Sequence, residues 1–232
     1  ARNNAANYRP ISLTSVTCKI LEHIICKHIR SHLDRHNILS AFQHGFRHAH
    51  SCETQLLMTL YNLVAYRDHN FQTDIAILDF SKAFDTVPHD RLLGKLHYYG
   101  ITGDINTWIA SFLKNRSQCV LVYGATSDSV QVESGVPQGT VLGPLLFLLF
   151  INDLPRNVSS QVSLFADDCL LYRTIKSADD QVCMQKDLDA LVEWGNTWGM
   201  KFNASKCNVM QVSRSTHPLT RFYTLSGHIL EQ

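Results

Sequence analysis

ILDFSKAFD (residues 77–85) and LFADDCLLY (residues 164–172) decide how this chain is read. In the first, the continuous apolar run at 75–78 lies between Asp74 and Asp79. It is short and β-branched enough for a buried strand, with Asp79 at its end. In the second, strands predicted at 162–165 and 169–172 leave only Ala166, Asp167 and Asp168 between them, a tight hairpin with acids at its tip. Asp167 and Asp168 repel each other among Leu164, Phe165, Ala166, Leu170 and Leu171, so ionising both beside a core is costly unless cations neutralise them. Two hard cations about 3.5–4 Å apart, held by carboxylate oxygens, meet that need and support in-line displacement at phosphorus. A lone pair of adjacent Asp also reads as a turn former or a helix cap. The surrounding sequence decides between the two.

Working outward, apolar residues Val16, Ile20, Leu21, Ile24, Ile25, Ile29 and Leu33 recur at helical spacing after the cap-capable Thr14 and Ser15, predicting an amphipathic helix over 16–33. His28, His32 and His36 share one face of it, but no carboxylate or Cys completes a metal site, and they read as solvated. Helices are predicted over 91–99, stopped by Gly100, and over 106–114, with Asp104 as cap. A hairpin of 119–123 with 130–133 turns through GATSDS, and an apolar helix follows over 141–154 with Pro144 near its first turn. Ser177 with Asp180 resembles a capping box opening a helix to Trp198, ended by Gly199, and a strand follows at 207–212. Asp85, Asp90, Asp153, Asp179 and Asp180 read as caps or turn acids. This order suits an α+β fold, an antiparallel sheet with helices on one face. Strict strand–helix alternation is absent, as are GxGxxG and GxxxxGK[ST], which argues against a doubly wound nucleotide fold.

The 232 residues are 45% hydrophobic and 18% charged, a folded domain with neither a disordered tail nor a coiled coil. The net charge of +1 hides an asymmetry: residues 1–70 hold eight Lys and Arg against four Asp and Glu, with eight of the twelve His. A basic end of this kind can concentrate a field on one face. Seven scattered Cys without a CxxC pair indicate a reducing compartment rather than a disulfide framework or a zinc ribbon. The longest apolar run, 141–151, falls short of the ~20 residues of a membrane span, so no membrane partner is expected. The opening ARNNAANYRP has no initiator Met and no apolar signal core, and is expected to be cut from a longer chain.

YRPISL (8–13), FQHGFR (42–47), LDFSKAFD (78–85), SGVPQGTVLGPLLF (134–147), FADD (165–168) and WGMKFNASKC (198–207), in this order, resemble the fingers and palm motifs of reverse transcriptases. FSKAFDTVPH and GPLLFLLFINDL are most similar to the non-LTR, LINE-like retrotransposon branch. The resemblance implies a right-hand polymerase palm with partial fingers: residues 1–73 as fingers, and 74–232 as palm with inserted fingers elements, ending at the approach to the primer grip with no thumb following. It implies RNA-directed DNA synthesis with an RNA template, a DNA primer, deoxynucleoside triphosphates and two Mg²⁺ ions, Mn²⁺ being an alternative. An endonuclease domain elsewhere in the full-length chain and a nuclear location are expected for target-primed integration.

Residue by residue, the resemblance makes Asp79 and Asp167 the metal ligands, with Asp168 assisting and the Phe80 carbonyl completing one metal's shell while its ring sits in the core. Phe84 matches the bulky residue that excludes a 2′-hydroxyl. Gln138 aligns beside the incoming nucleotide, with Gly135 and Gly139 in the loop that approaches it. Arg9 resembles the residue that clamps the triphosphate, a role suited to a bidentate guanidinium. Arg47 is placed on template backbone, and Lys206 resembles the general acid that protonates departing pyrophosphate. An RNA-dependent RNA polymerase shares the acids, but Phe165, Ala166 and Phe84 depart from its usual pattern. The alternative without synthesis is an inactive or domesticated RNA-binding remnant, against which stand the intact Asp79, Asp167 and Asp168.

Overall fold

The computed structural model describes residues 8–231. In chain order the elements are α1 (Val16–Arg35), α2 (Cys52–Asp68), β1 (Gln72–Leu78), α3 (Ala83–Thr86), α4 (His89–Tyr98), α5 (Gly103–Leu113), β2 (Ser117–Gln118), β3 (Leu121–Val122), β4 (Ala125–Thr126), β5 (Val130–Gln131), α6 (Gly143–Ile151), β6 (Gln161–Phe165), β7 (Asp168–Ile175), α7 (Ala178–Trp198), β8 (Asn208–Val212), β9 (Thr224–Leu225) and β10 (His228–Ile229). Two compact units divide them: residues 39–83 with 151–232, and residues 1–38 with 84–150.

The first unit is built on an antiparallel sheet of order β6-β7-β1-β8, so β1 is paired on both edges. It is seven residues long rather than the four expected, because Asp74 is not a boundary but a fully buried member of the strand. A buried carboxylate needs donors. Asp74 receives the Tyr223 hydroxyl at 2.6 Å, the Gln72 amide at 2.7 Å and the Gln181 amide at 3.5 Å. Strand alternation turns Asp74 toward α7 and Ile75 toward the other face. There Ile75 packs with Leu63 of α2 and Tyr172 of β7. The antiparallel sheet is as expected, and α2 is an addition to the expected order that covers the face opposite α7. Its apolar residues Leu56, Leu57, Met58, Leu60, Tyr61, Leu63 and Val64 fall all round the helix, so no single stripe announces it; of these only Leu63 is buried. Helix α7 forms as its sequence dictates, with a Ser177–Asp180 capping box at one end and Gly199 at φ +77° at the other.

The second unit packs around α6, in which every residue from Leu145 to Phe150 is at most 1% exposed. The helix starts at Gly143, two residues later than expected, because the N–H groups of Val141 and Leu142 go instead to Glu22 Oε2 at 2.8 and 3.0 Å. That buried carboxylate on α1 caps the N-terminus of α6, where its charge also suits the helix dipole. It also explains a departure in α1. Ile29 and Leu33 are buried as the spacing predicts, but the first half of the helix turns Glu22 inward and leaves Val16, Ile20, Leu21 and Ile24 exposed. Helix α5 begins at Gly103 with Asp104 in its first turn and no side-chain cap bond. The exposed hairpin corrects a second expectation. Residues 121–122 pair with 125–126, so the chain reverses at Tyr123 and Gly124 (φ +49° and +84°) rather than through the whole of GATSDS. Positive φ at both central residues matches the twist of a two-residue hairpin turn.

Replacing Glu22 by Leu leaves two buried N–H groups without an acceptor and is expected to cost about 1–3 kcal/mol in urea unfolding, whereas Glu22→Gln, which keeps an acceptor, costs less. Equal loss in both variants would remove the cap from this account.

Candidate active site

The pairing of β1 with β7 sets Leu78 opposite Cys169, so Asp79, just past β1, and Asp168, the first residue of β7, stand at the same end of the two strands. The β6–β7 turn is as tight as the sequence predicts: Phe165 pairs with Asp168, leaving only Ala166 and Asp167 to reverse the chain. Asp167 is half-buried and Asp168 exposed. The structure thus brings the two acidic stretches to one end of adjacent strands.

Asp79 is held through its backbone. Its carbonyl accepts from Asn203 N–H at 2.7 Å, and its N–H donates to the Cys207 thiol sulfur at 3.3 Å. The side chain is less completely served. Oδ2 is buried and among the described residues no hydrogen-bond donor reaches it, although the Lys206 ammonium stands 3.3 Å away, close enough to pair by charge but off hydrogen-bond alignment. Lys206 closes the short 3₁₀ turn Ala204–Lys206 and is itself largely exposed. Phe80 lies in the core as expected, its ring stacked on Phe202 at 4.3 Å. Hard carboxylate oxygens, one of them buried without a donor, fit a magnesium-sized cation. Among the described residues no three His, Cys, Asp or Glu side chains gather as a cage. A site of one or two carboxylates completed by substrate phosphates, the usual magnesium arrangement, needs none.

Most of the remaining candidates belong to the other unit. Phe84 sits in α3 with its ring stacked on Phe147 of α6 at 4.3 Å and 19°, which fixes its plane. Gln138 donates its side-chain amide to Asp85 Oδ1 at 2.6 Å, and its carbonyl accepts from Ser12 N–H. Asp85 is therefore not merely a turn acid: it orients the Gln138 amide so that Oε1 is left to accept. A Cβ on Gly135 would lie 2.8 Å from Asp85 Cα and the Phe84 carbonyl, so this approach requires glycine, and Gly139, at φ +85°, is exposed beside Ser12. Arg9 is exposed on the coil that precedes α1. Arg47, which lies in the sheet unit, donates its guanidinium to Ser40 O at 2.6 Å and Gln43 O at 3.3 Å, tying its own loop.

Two further residues of the sheet unit carry no expected role. Cys207 supports Asp79 as described, and burial raises its thiol pKa. Gln43, from the same motif as Arg47, is buried against the β6–β7 turn. The adjacency of Cys207 to Lys206 and of Gln43 to a glycine two residues on were the available signals. Asp153, expected as a cap or a turn acid, accepts from Trp194 Nε1 at 3.1 Å.

Residues 1–220 match the family described as reverse transcriptase (RNA-dependent DNA polymerase). The chain is 34% identical over 215 residues to a probable RNA-directed DNA polymerase from transposon X-element of Drosophila melanogaster, covering 88% of this chain and 23% of the relative. It is 32% identical over 220 residues to the RNA-directed DNA polymerase from mobile element jockey of the same organism, covering 90% and 24%. The chain thus spans about a quarter of the length of these relatives. In fold it is similar to apo telomerase from Candida tropicalis truncated from its C-terminal domain (TM-score 0.58, 11% identity, 90% of this chain and 45% of that one). It is likewise similar to telomerase from the same organism in complex with a telomeric RNA fragment (TM-score 0.59, 10% identity, 89% and 37%). These likenesses show the polymerase palm and fingers type of α+β fold.

Burial, with Cys207 and Asp168 nearby, pushes the Cys169 thiol up to about 12, and Cys207 moves in the same direction. Both are therefore expected to stay protonated and unalkylated by iodoacetamide at neutral pH, while the exposed Cys52 and Cys119 react. Mass spectrometry of the labelled native chain checks this, and rapid native labelling of Cys169 would contradict the burial described.

Proposed function

The chain belongs to the reverse transcriptase (RNA-dependent DNA polymerase) family, and on that premise we propose that it extends a DNA primer on an RNA template by two-metal nucleotidyl transfer. The observation that carries the reading is the arrival of Asp79, Asp167 and Asp168 at one end of β1 and β7. Asp79, Asp167, Asp168 and the Phe80 carbonyl would hold two Mg²⁺ ions, with Mn²⁺ as an alternative, supplying the charge that activates the primer hydroxyl and stabilises the departing pyrophosphate.

The chain's own side chains do the rest by position and charge. Lys206 is an exposed ammonium already beside Asp79, suited to deliver a proton to the leaving group. Phe84, its ring fixed against Phe147, bars the 2′-hydroxyl of the incoming sugar. Gln138, oriented by Asp85, and Gly139 contact the deoxynucleoside triphosphate, and Arg9 donates to its phosphates. Arg47 keeps the template loop in shape through its two carbonyl contacts and reaches template backbone from there. Template and primer are held through phosphates, so binding weakens steeply with salt. In this reading residues 1–73 contribute the fingers and 74–232 the palm. The similar polymerases from transposon X-element and mobile element jockey support a retrotransposon setting, and target-primed retrotransposition in the nucleus, with an endonuclease domain elsewhere in the full protein, is the setting this reading extends to.

Primer extension on poly(rA)/oligo(dT) with Mg²⁺ tests the reading. Asp167→Asn is expected to lower incorporation about a thousandfold, the loss of several kcal/mol of charge stabilisation. Equal incorporation by the variant and the unaltered chain would overturn the assignment. Phe84→Ala is expected to raise incorporation of ribonucleotides relative to deoxynucleotides, and unchanged discrimination would take Phe84 out of sugar selection.

A further inference from the structure

Ala166, which immediately precedes Asp167, has φ +52°, in the left-handed region where an alanine Cβ is strained. It is also buried, so its N–H and carbonyl need partners from the protein. Both come from one side chain. Gln43, 3% exposed, accepts from Ala166 N–H through Oε1 at 2.9 Å and donates to Ala166 O through Nε2 at 3.2 Å. The same Oε1 accepts from Gly45 N–H at 2.7 Å. Two N–H groups on one atom and a carbonyl on the other leave a single orientation for the amide.

The backbone around Gln43 reinforces the contact. His44 N–H donates to Leu164 O at 2.8 Å and Leu164 N–H to Phe42 O at 2.9 Å, laying the loop along β6. A Cβ on Gly45 would stand 2.3 Å from Ala166 N, so the loop closes on the turn only with glycine there. Without these partners the left-handed alanine and its two buried backbone groups are uncompensated, and the turn that aims Asp167 and Asp168 is loosened.

We infer that Gln43 is a positioning residue: by clasping both polar backbone groups of Ala166 it fixes the β6–β7 turn and with it the orientation of the Asp167 and Asp168 carboxylates toward the metal. The inference rests on the proposed reading of those acids as metal ligands. It assigns to a buried uncharged side chain, whose amide is taken up by Ala166 and Gly45, part of the affinity for the ion. Supporting partners of metal ligands typically carry about 10–100-fold of that affinity.

The test is Mn²⁺ binding to the 232-residue chain followed by electron paramagnetic resonance, with thermal melting beside it. Gln43→Met keeps the volume and removes all three bonds; it is expected to weaken Mn²⁺ binding at least about tenfold while the cooperative melt persists. Gln43→Glu keeps the acceptor that both N–H groups use and is expected to fall between Gln43→Met and the unaltered chain. In primer extension the loss appears in kcat, with KM for the deoxynucleotide little changed. Unaltered Mn²⁺ binding in Gln43→Met, or no advantage of Glu over Met, overturns the clasp alone. Loss of folding in both variants overturns it too, since Gln43 would then serve the fold as a whole. Absence of any Mn²⁺ binding that Asp167→Asn abolishes overturns the metal reading itself and takes this inference with it.

Discussion

The register between β1 and β7 is the constraint on which the rest of the sheet unit depends. Because side chains alternate along a strand, a slip of one residue would send Ile75 and Asp74 to each other's faces and carry Asp79 away from Asp168. Seven consecutive pairs, from Gln72 with Ile175 to Leu78 with Cys169, hold that register. Polar chemistry fixes which face of β1 is which, since Asp74 sits with its three donors beneath α7. At the far end of β7 the two-residue turn between Phe165 and Asp168 fixes that strand against β6.

The donors to Asp74 also integrate the C-terminal segment. Tyr223, whose hydroxyl reaches Asp74, precedes the β9–β10 hairpin, and Gln72 and Gln181 both donate to Leu219 O. The chain then returns to β8, where Val209 N–H donates to Glu231 O at 2.7 Å. Residues 201–207, which carry Lys206, are fastened to the first acidic stretch by Ser81 N–H to Lys201 O, Asn203 N–H to Asp79 O and the Cys207 thiol. A sequence separation of more than a hundred residues is thereby closed into hydrogen bonds on the backbone that carries the Asp79 carboxylate.

What could be read from the sequence followed from local rules. The Ser177–Asp180 box and Gly199 delimit α7 because caps act on the residues beside them. The acids at the strand ends were legible because charged residues beside β-branched runs demand an explanation. What escaped reading was set by tertiary partners. Glu22 turns inward only because the α6 N-terminus lies there, and this reverses the exposed face of the first half of α1. Helix α2 has no stripe because most of its apolar residues are exposed while Gln55 and Thr59 are buried, Gln55 donating to Ser163 Oγ. Asp85 and Gln43 look like a turn acid and an ordinary amide until Gln138 and Ala166 are seen opposite them.

Carboxylates buried elsewhere in the chain show why the end of β1 differs. Glu22 is satisfied by two helix N–H groups, Asp74 by three side-chain donors, and Asp187 by the N–H groups and hydroxyls of Ser159 and Ser160. Each is a closed arrangement in which the cost of removing charge from water is offset by fixed donors. Asp79 Oδ2 is also buried, yet among the described residues no donor is aligned on it and its compensation is a lysine ammonium on a largely exposed side chain. A flexible ammonium near a high-dielectric surface is a weak and replaceable partner. A fold that saturates Glu22, Asp74 and Asp187 with fixed donors and leaves the half-exposed Asp79 beside a movable ammonium has kept a place where positive charge can be exchanged.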